Sequence, residues 1–232
     1  MVAHVNRFLS SGAGLEKTLR LIQSLSQIAA VFTVGSTAVR FTAAKLQLAL
    51  TRRFFRFFGF IDSFQRVSAL LSNDGMSSVP GWLELAKWTC FGLYFLLEDL
   101  TILHAMDVYL VPWEQRVMKE ANTFWFYALS FSIAGAVYSL LFSGSGKPAA
   151  KAKDAKNEKN DAKAEKEKTQ VAADSKAGAT KTTALMRQIV VESCDLVLPV
   201  TLLGWVHLGD LVVGGTMVVS TVLTGREIWK RV

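Results

Sequence analysis

The order of apolar and polar residues divides the chain into segments of different period. Leu15, Leu19, Ile22, Leu25, Ile28, Ala29 and Phe32 recur every three or four positions after the Ser10-Ser11-Gly12 break. This spacing predicts an amphipathic helix with Glu16, Lys17, Arg20, Ser24 and Gln27 largely off its apolar stripe. The stretch from Lys45 to Leu71 is more pronounced. On a helical wheel Leu46, Leu50, Phe54, Phe57, Ile61, Phe64 and Leu71 fall within about 100° of one another, while Lys45, Arg52, Arg56 and Ser63 lie opposite and Arg53 at the border. Rings on one side and cations on the other predict a helix lying in a membrane interface. Its insertion face would be Leu46, Leu50, Phe54, Phe57, Phe58, Ile61 and Phe64, with Lys45, Arg52, Arg53 and Arg56 on anionic headgroups. A core helix of a soluble bundle with a solvated basic face is the alternative.

Two later regions are longer and more uniformly apolar. Ala121 to Ser145 holds 25 uncharged residues in succession. As a helix it would measure about 37 Å, enough for a hydrocarbon core of about 30 Å. Leu196 to Gly225 carries only His207 and Asp210 as ionisable groups and reads as the second span. Three residues apart, these two are candidates for an inter-helix contact. Pro199, Gly204, Gly209, Gly214 and Gly215 fit equally a kinked or hairpin segment with Asp210 near the surface. By contrast, the run Trp88 to Leu97 meets Glu98 and Asp99 after ten residues. That is too short to cross, so an interfacial or packed helix is expected, a tilted span with Glu98, Asp99 and Asp107 facing protein being the alternative.

Composition sharpens this picture through its clustering. The chain has 232 residues, 51% hydrophobic, and a net charge of +7. That charge is distributed as +7 over 1–72, −4 over 73–146, +4 over 147–183 and 0 over 184–232. Segment 146–184 is rich in Lys, Ala, Asp and Glu and nearly free of larger aliphatic residues, so a disordered loop is expected. Its interleaved acids and lack of aromatics argue against nucleic acid. The expected fold class is an all-α membrane protein. Residues 1–72 would form membrane-active amphipathic helices, 73–120 an interfacial or packed region, and 121–145 a transmembrane helix. The loop 146–184 would follow, then 185–232 as a C-terminal helix with the second span.

The start MVAHVNRFLSSG lacks the apolar core of a secretory signal, and Cys90 and Cys194 cannot build a disulfide framework. Neither a P-loop, G-x-S-x-G, H-E-x-x-H nor C-x-x-C occurs, and the histidines His4, His104 and His207 are scattered. No enzyme, catalytic residue, cofactor or metal is expected; His104 with Asp107 lacks a third ligand at helical spacing.

LEKTLRLIQ near the start, RRFFRFFGFIDSF, LYFLLEDL, CDLVLPV and the glycine-rich apolar tail ending in W-K-R together resemble the peroxisomal biogenesis factor 11 (peroxin-11) family. The likeness spans most of the chain outside the lysine-rich loop. It implies a mainly helical, multi-pass peroxisomal membrane protein that elongates the organelle before division. Its functional amphipathic helix maps onto Lys45 to Leu71, and both termini would be cytosolic. Implied partners are other copies of the chain, the peroxisomal membrane-protein import receptor, and the fission adaptor with its dynamin-like GTPase. The resemblance also permits a second expectation, a pore for small metabolites, in which Glu98, Asp99, Asp107, His207 and Asp210 serve as inter-helix or pore-lining groups.

Overall fold

The break predicted at Ser10 to Gly12 is present, and its cause is local. Ser11 is extended, its hydroxyl accepts the Gly14 amide at 3.1 Å, and Gly14 packs so closely that a Cβ would lie 2.1 Å from the Phe8 carbonyl oxygen. Helix α1 (Val2–Ser10) thus turns into α2 (Gly12–Phe32). A second extended pair, Thr33 and Val34, and Gly35 at φ +64° reverse the chain into α3 (Gly35–Phe54). These residues belong to a computed structural model that describes 1–72, 78–142 and 162–232, with backbone alone for 162–179. Among the described residues all regular structure is helical. The remaining helices are α4 (Gly59–Ser72), α5 (Val79–Leu100), α6 (Ile102–Ala105), α7 (Glu114–Phe142), α8 (Ala162–Leu202) and α9 (Asp210–Arg231). Of the loop expected over 146–184, residues 146–161 lie outside the described residues, and from Ala162 onward the backbone is helical and belongs to α8.

Two expectations need correction. Lys45 to Leu71 is not one helix: α3 stops at Phe54, the chain turns through Phe55–Phe58, and α4 starts at Gly59. Phe58 is left-handed at φ +63°, and its amide is held by Asp99 Oδ2 at 3.0 Å. A wheel drawn through the turn therefore does not describe one surface. Leu196 to Gly225 is not one helix either. Pro199 sits in the last turn of α8, Gly204 adopts φ +72°, and Gly209 caps α9, so the hairpin alternative is the one adopted. His207 lies exposed in the connection and Asp210 opens α9, so they do not share a helical face.

Packed neighbours run in the order α3, α2, α9, α8, α7, α5, α4. The Phe55–Phe58 turn joins α3 to α4 and completes a circuit of helices. The two ends of the chain meet on it: His4 Nε2 donates to the Trp229 carbonyl at 3.0 Å, and the two rings stand edge to face at 4.3 Å. Close approach of α2 and α9 depends on Gly214, where a Cβ would fall 2.7 Å from Ile28 Cγ1.

The distribution of polarity inverts that of a water-soluble bundle. Arg20, Gln23, Ser24, Ser26 and Gln27 of α2 are buried, whereas Ile22, Leu25, Val31 and Phe32 are exposed. Thus the polar flank of the predicted amphipathic helix points inward. Glu98, Asn122, Ser132, Ser220 and Thr221 are buried from other helices, while Leu141, Phe142, Leu211, Val212 and Val222 face outward. Such a pattern is stable where the surroundings are hydrocarbon and the polar groups satisfy one another. Among the described residues two helices, α7 and α9, are long and apolar enough to cross a membrane.

Candidate functional site

Arg52, Arg53 and Arg56 sit where α3 runs into its terminal turn. All three side chains enter the circuit of helices and meet carboxylates from α2 and α5. Arg52 donates through Nε to Glu16 Oε1 at 2.9 Å and through Nη1 to Gln23 Oε1 at 2.7 Å. Arg53 reaches Glu98 Oε1 at 3.3 Å and Thr101 Oγ1 at 3.0 Å. Arg56 donates to the same Glu98 oxygen at 2.8 Å, to which the Tyr94 hydroxyl also donates at 3.2 Å. From α2, Lys17 pairs with Glu16 at 2.8 Å and Arg20 forks onto Asp195 of α8. A guanidinium this far from water needs an anion, and the spacing of these acids supplies one to each.

Electrostatics follow from the geometry. Burial alone would raise the Glu16 pKa, but Lys17 and Arg52 outweigh it and hold the carboxyl at about 2. Burial depresses Arg52 against the pull of Glu16, and the neighbouring charges of Arg20 and Arg56 depress it further. For Arg56 burial is outweighed by Tyr94 and Glu98, and its pKa is raised. Burial raises Asp99. Glu16, Arg52, Arg56, Tyr94 and Glu98 line a chamber of about 840 Å³ together with Phe91, Phe95, Met118, Trp125 and Leu129.

The aromatic side of the same segment points the other way. Leu46, Phe54, Phe55, Phe57, Phe58 and Ile61 are exposed, Phe58 by 57%. Leu50 is half-buried, and the Phe64 ring packs against Gly92 of α5, where a Cβ would approach it to 2.8 Å. Phe57 and Phe58 stack edge to face at 4.3 Å. The turn therefore forms an aromatic elbow braced from behind by arginine.

The four cations assigned by sequence to headgroups all have protein partners. Lys45 pairs with Asp210 at 2.9 Å, and Arg52, Arg53 and Arg56 are engaged as described. The wheel placed Lys45, Arg52 and Arg56 opposite the rings and Arg53 at the border; in the structure the three arginines turn away from the exposed rings of residues 54–58 and meet Glu16 and Glu98. Of the acidic inter-helix candidates, Glu98 and Asp210 do join helices; Asp210 also accepts Gln27 Nε2 at 2.8 Å. Asp99 holds the elbow. Asp107, at φ +57°, and His207 are exposed in connections and join none. The sequence reading missed Glu16, Arg20, Gln23, Tyr94 and Asp195 as members of the cluster. The signal for the three on α2 was the polar row Glu16, Arg20, Gln23 and Gln27, spaced by three and four; Tyr94 and Asp195 had none. His104 accepts the Val111 amide at 3.0 Å, and no cluster of three metal-binding side chains occurs among the described residues.

Comparison with curated proteins and with solved structures gives no match. Comparison with protein families matches peroxisomal biogenesis factor 11 (PEX11) over residues 2–229, nearly the whole chain. The family is peroxisomal-membrane associated and consists of biogenesis factors rather than enzymes. On that coverage the chain belongs to the peroxisomal biogenesis factor 11 (PEX11) family, and its role lies in peroxisome biogenesis.

Proposed function

We propose that the chain remodels the peroxisomal membrane by pressing its aromatic elbow into one leaflet, elongating the organelle before fission. The observation that carries this reading is the opposed pair of faces at residues 52–58. Phe54, Phe55, Phe57 and Phe58 are exposed together, while Arg52, Arg53 and Arg56 are tied to Glu16 and Glu98. Exposed rings of this size are costly in water and favourable among acyl chains. Because the arginines anchor the elbow to α2 and α5, it enters lipid as a fixed protrusion, and occupation of one leaflet expands that leaflet's area. Self-association would concentrate the protrusions, with the import receptor and the fission adaptor with its dynamin-like GTPase as partners before and after. His4 meets Trp229, so both termini lie on one side, which we assign to the cytosol.

The test is reconstitution of the full chain into anionic vesicles. Wild type should draw them into tubules. Phe54→Ser with Phe57→Ser should leave helix content unchanged, both side chains being exposed, and leave the vesicles round. Tubules formed equally by that variant would overturn the mechanism.

A second reading, a path for small solutes, is favoured by the chamber with charged residues in its lining. Planar-bilayer conductance separates the two: currents that persist in Phe54→Ser with Phe57→Ser support a path independent of the elbow, and a silent bilayer with active tubulation rejects it.

A further inference from the structure

The chamber carries more positive charge than its own acids neutralise. Lys17, Arg20, Arg52, Arg53 and Arg56 line it, against Glu16, Glu98 and Asp195. Each carboxylate already has a partner: Glu16 has Lys17 and Arg52, Glu98 has Arg53 and Arg56, and Asp195 has Arg20. Two cations are therefore in excess on the lining of one chamber.

Donors are in excess too. Arg20, only 5% exposed, directs both terminal nitrogens to Asp195, and its Nε is buried with no acceptor. Arg56 uses Nη2 on Glu98, and its Nε is likewise buried without an acceptor. A guanidinium offers five N–H donors in a planar fork, and a buried one left unmatched is unfavourable. Arg52 is within electrostatic reach of both. Three guanidinium groups that repel one another on the lining of one chamber form a receptor for an oxyanion. The volume, about 840 Å³, admits a ligand much larger than an ion.

We propose that the chamber binds an anion bearing a phosphate group, held between Arg20, Arg52 and Arg56. The anion completes the charge balance of the interior and so stabilises the circuit of helices. Arg52 and Arg56 also brace the elbow, but anion binding here does not depend on whether the rings insert into lipid. The phosphate group could arrive on a soluble molecule or as the headgroup of a lipid entering from the side, and the experiment distinguishes these.

The informative variant is Gln23→Glu. Gln23 lines the chamber and its Oε1 already accepts from Arg52, so the change keeps that acceptor and adds one negative charge. It should fold at least as well as wild type while competing with the ligand. Full-length protein in neutral phosphatidylcholine nanodiscs is titrated with inorganic phosphate, and separately placed in nanodiscs containing phosphatidic acid without phosphate. Chloride at equal ionic strength is the control. Unfolding temperature and calorimetric binding are read in each arm. Saturable stabilisation of wild type by phosphate identifies a soluble ligand, and stabilisation by phosphatidic acid alone identifies a headgroup. Either supports the proposal if Gln23→Glu weakens the effect at least tenfold and is itself no less stable without anion. Stabilisation in neither arm, or stabilisation that Gln23→Glu leaves intact, overturns it.

Discussion

Glu98 Oε1 lies 2.8 Å from Arg56 Nη2, joining the aromatic elbow to α5 through a buried carboxylate that Arg53 shares. Removing this acid strands two guanidinium groups at once. Glu98→Ala should destabilise the protein by about 3–5 kcal/mol, the cost of breaking a buried pair from one side. Glu98→Gln keeps an oxygen acceptor and should cost less. Chemical unfolding in detergent, followed by helix content, checks the order wild type, Gln, Ala.

Acid should weaken the same region through Glu16. Its folded pKa of about 2 is below the ordinary 4.5, so the folded form holds the carboxylate more tightly than the unfolded chain does. That contribution is complete above pH 4.5 and is lost as pH falls toward 2, and the shift corresponds to on the order of 3 kcal/mol. Unfolding midpoints measured from pH 6 to pH 2 should fall across this window, and the slope should flatten in Glu16→Gln.

Neighbouring glycines in α9 should respond in opposite ways. A Cβ at Gly214 would meet Ile28 at 2.7 Å and the Ser24 carbonyl at 3.3 Å, whereas at Gly215 nothing lies within 4 Å. Gly214→Ala should push α2 from α9 and cost about 1–3 kcal/mol. Gly215→Ala should be neutral or stabilising by about 1 kcal/mol through helix propensity. Thermal unfolding of the two variants side by side tests the contrast.

Phe58 combines a left-handed backbone with an exposed ring. Phe58→Gly removes the steric cost of positive φ and should raise stability by about 1 kcal/mol, while subtracting a ring from the surface that the remodelling reading places in lipid. Unfolding midpoint and vesicle tubulation, measured on one preparation, should move in opposite directions.

Legibility from sequence differed by the kind of information each feature carries. The helical class and the α7 span follow from unbroken apolar length, a local property. The α1–α2 junction follows from Ser11 and Gly12. The direction of the α2 faces does not follow, because a wheel shows which residues share a side and not whether that side meets lipid, water or protein. Pairing within the arginine cluster was hidden for a different reason. Glu16 and Arg52 are 36 positions apart, and Arg20 and Asp195 are 175 apart, so no local period links them. The elbow was obscured because Phe54, Phe57, Ile61 and Phe64 continue the helical pattern through a turn whose partners, Asp99 and Glu98, are about forty residues away.

The meeting of His4 with Trp229 makes the last helix a keystone. During synthesis α2 emerges about two hundred residues before the strip of α9 that covers Ser24 and Ile28. Until that strip arrives, Gln27 lacks Asp210 and the polar flank of α2 has no neighbour on one side. Closure is therefore an event of the finished chain. A chain that stops short of α9 is an open arc, with that flank of α2 left uncovered.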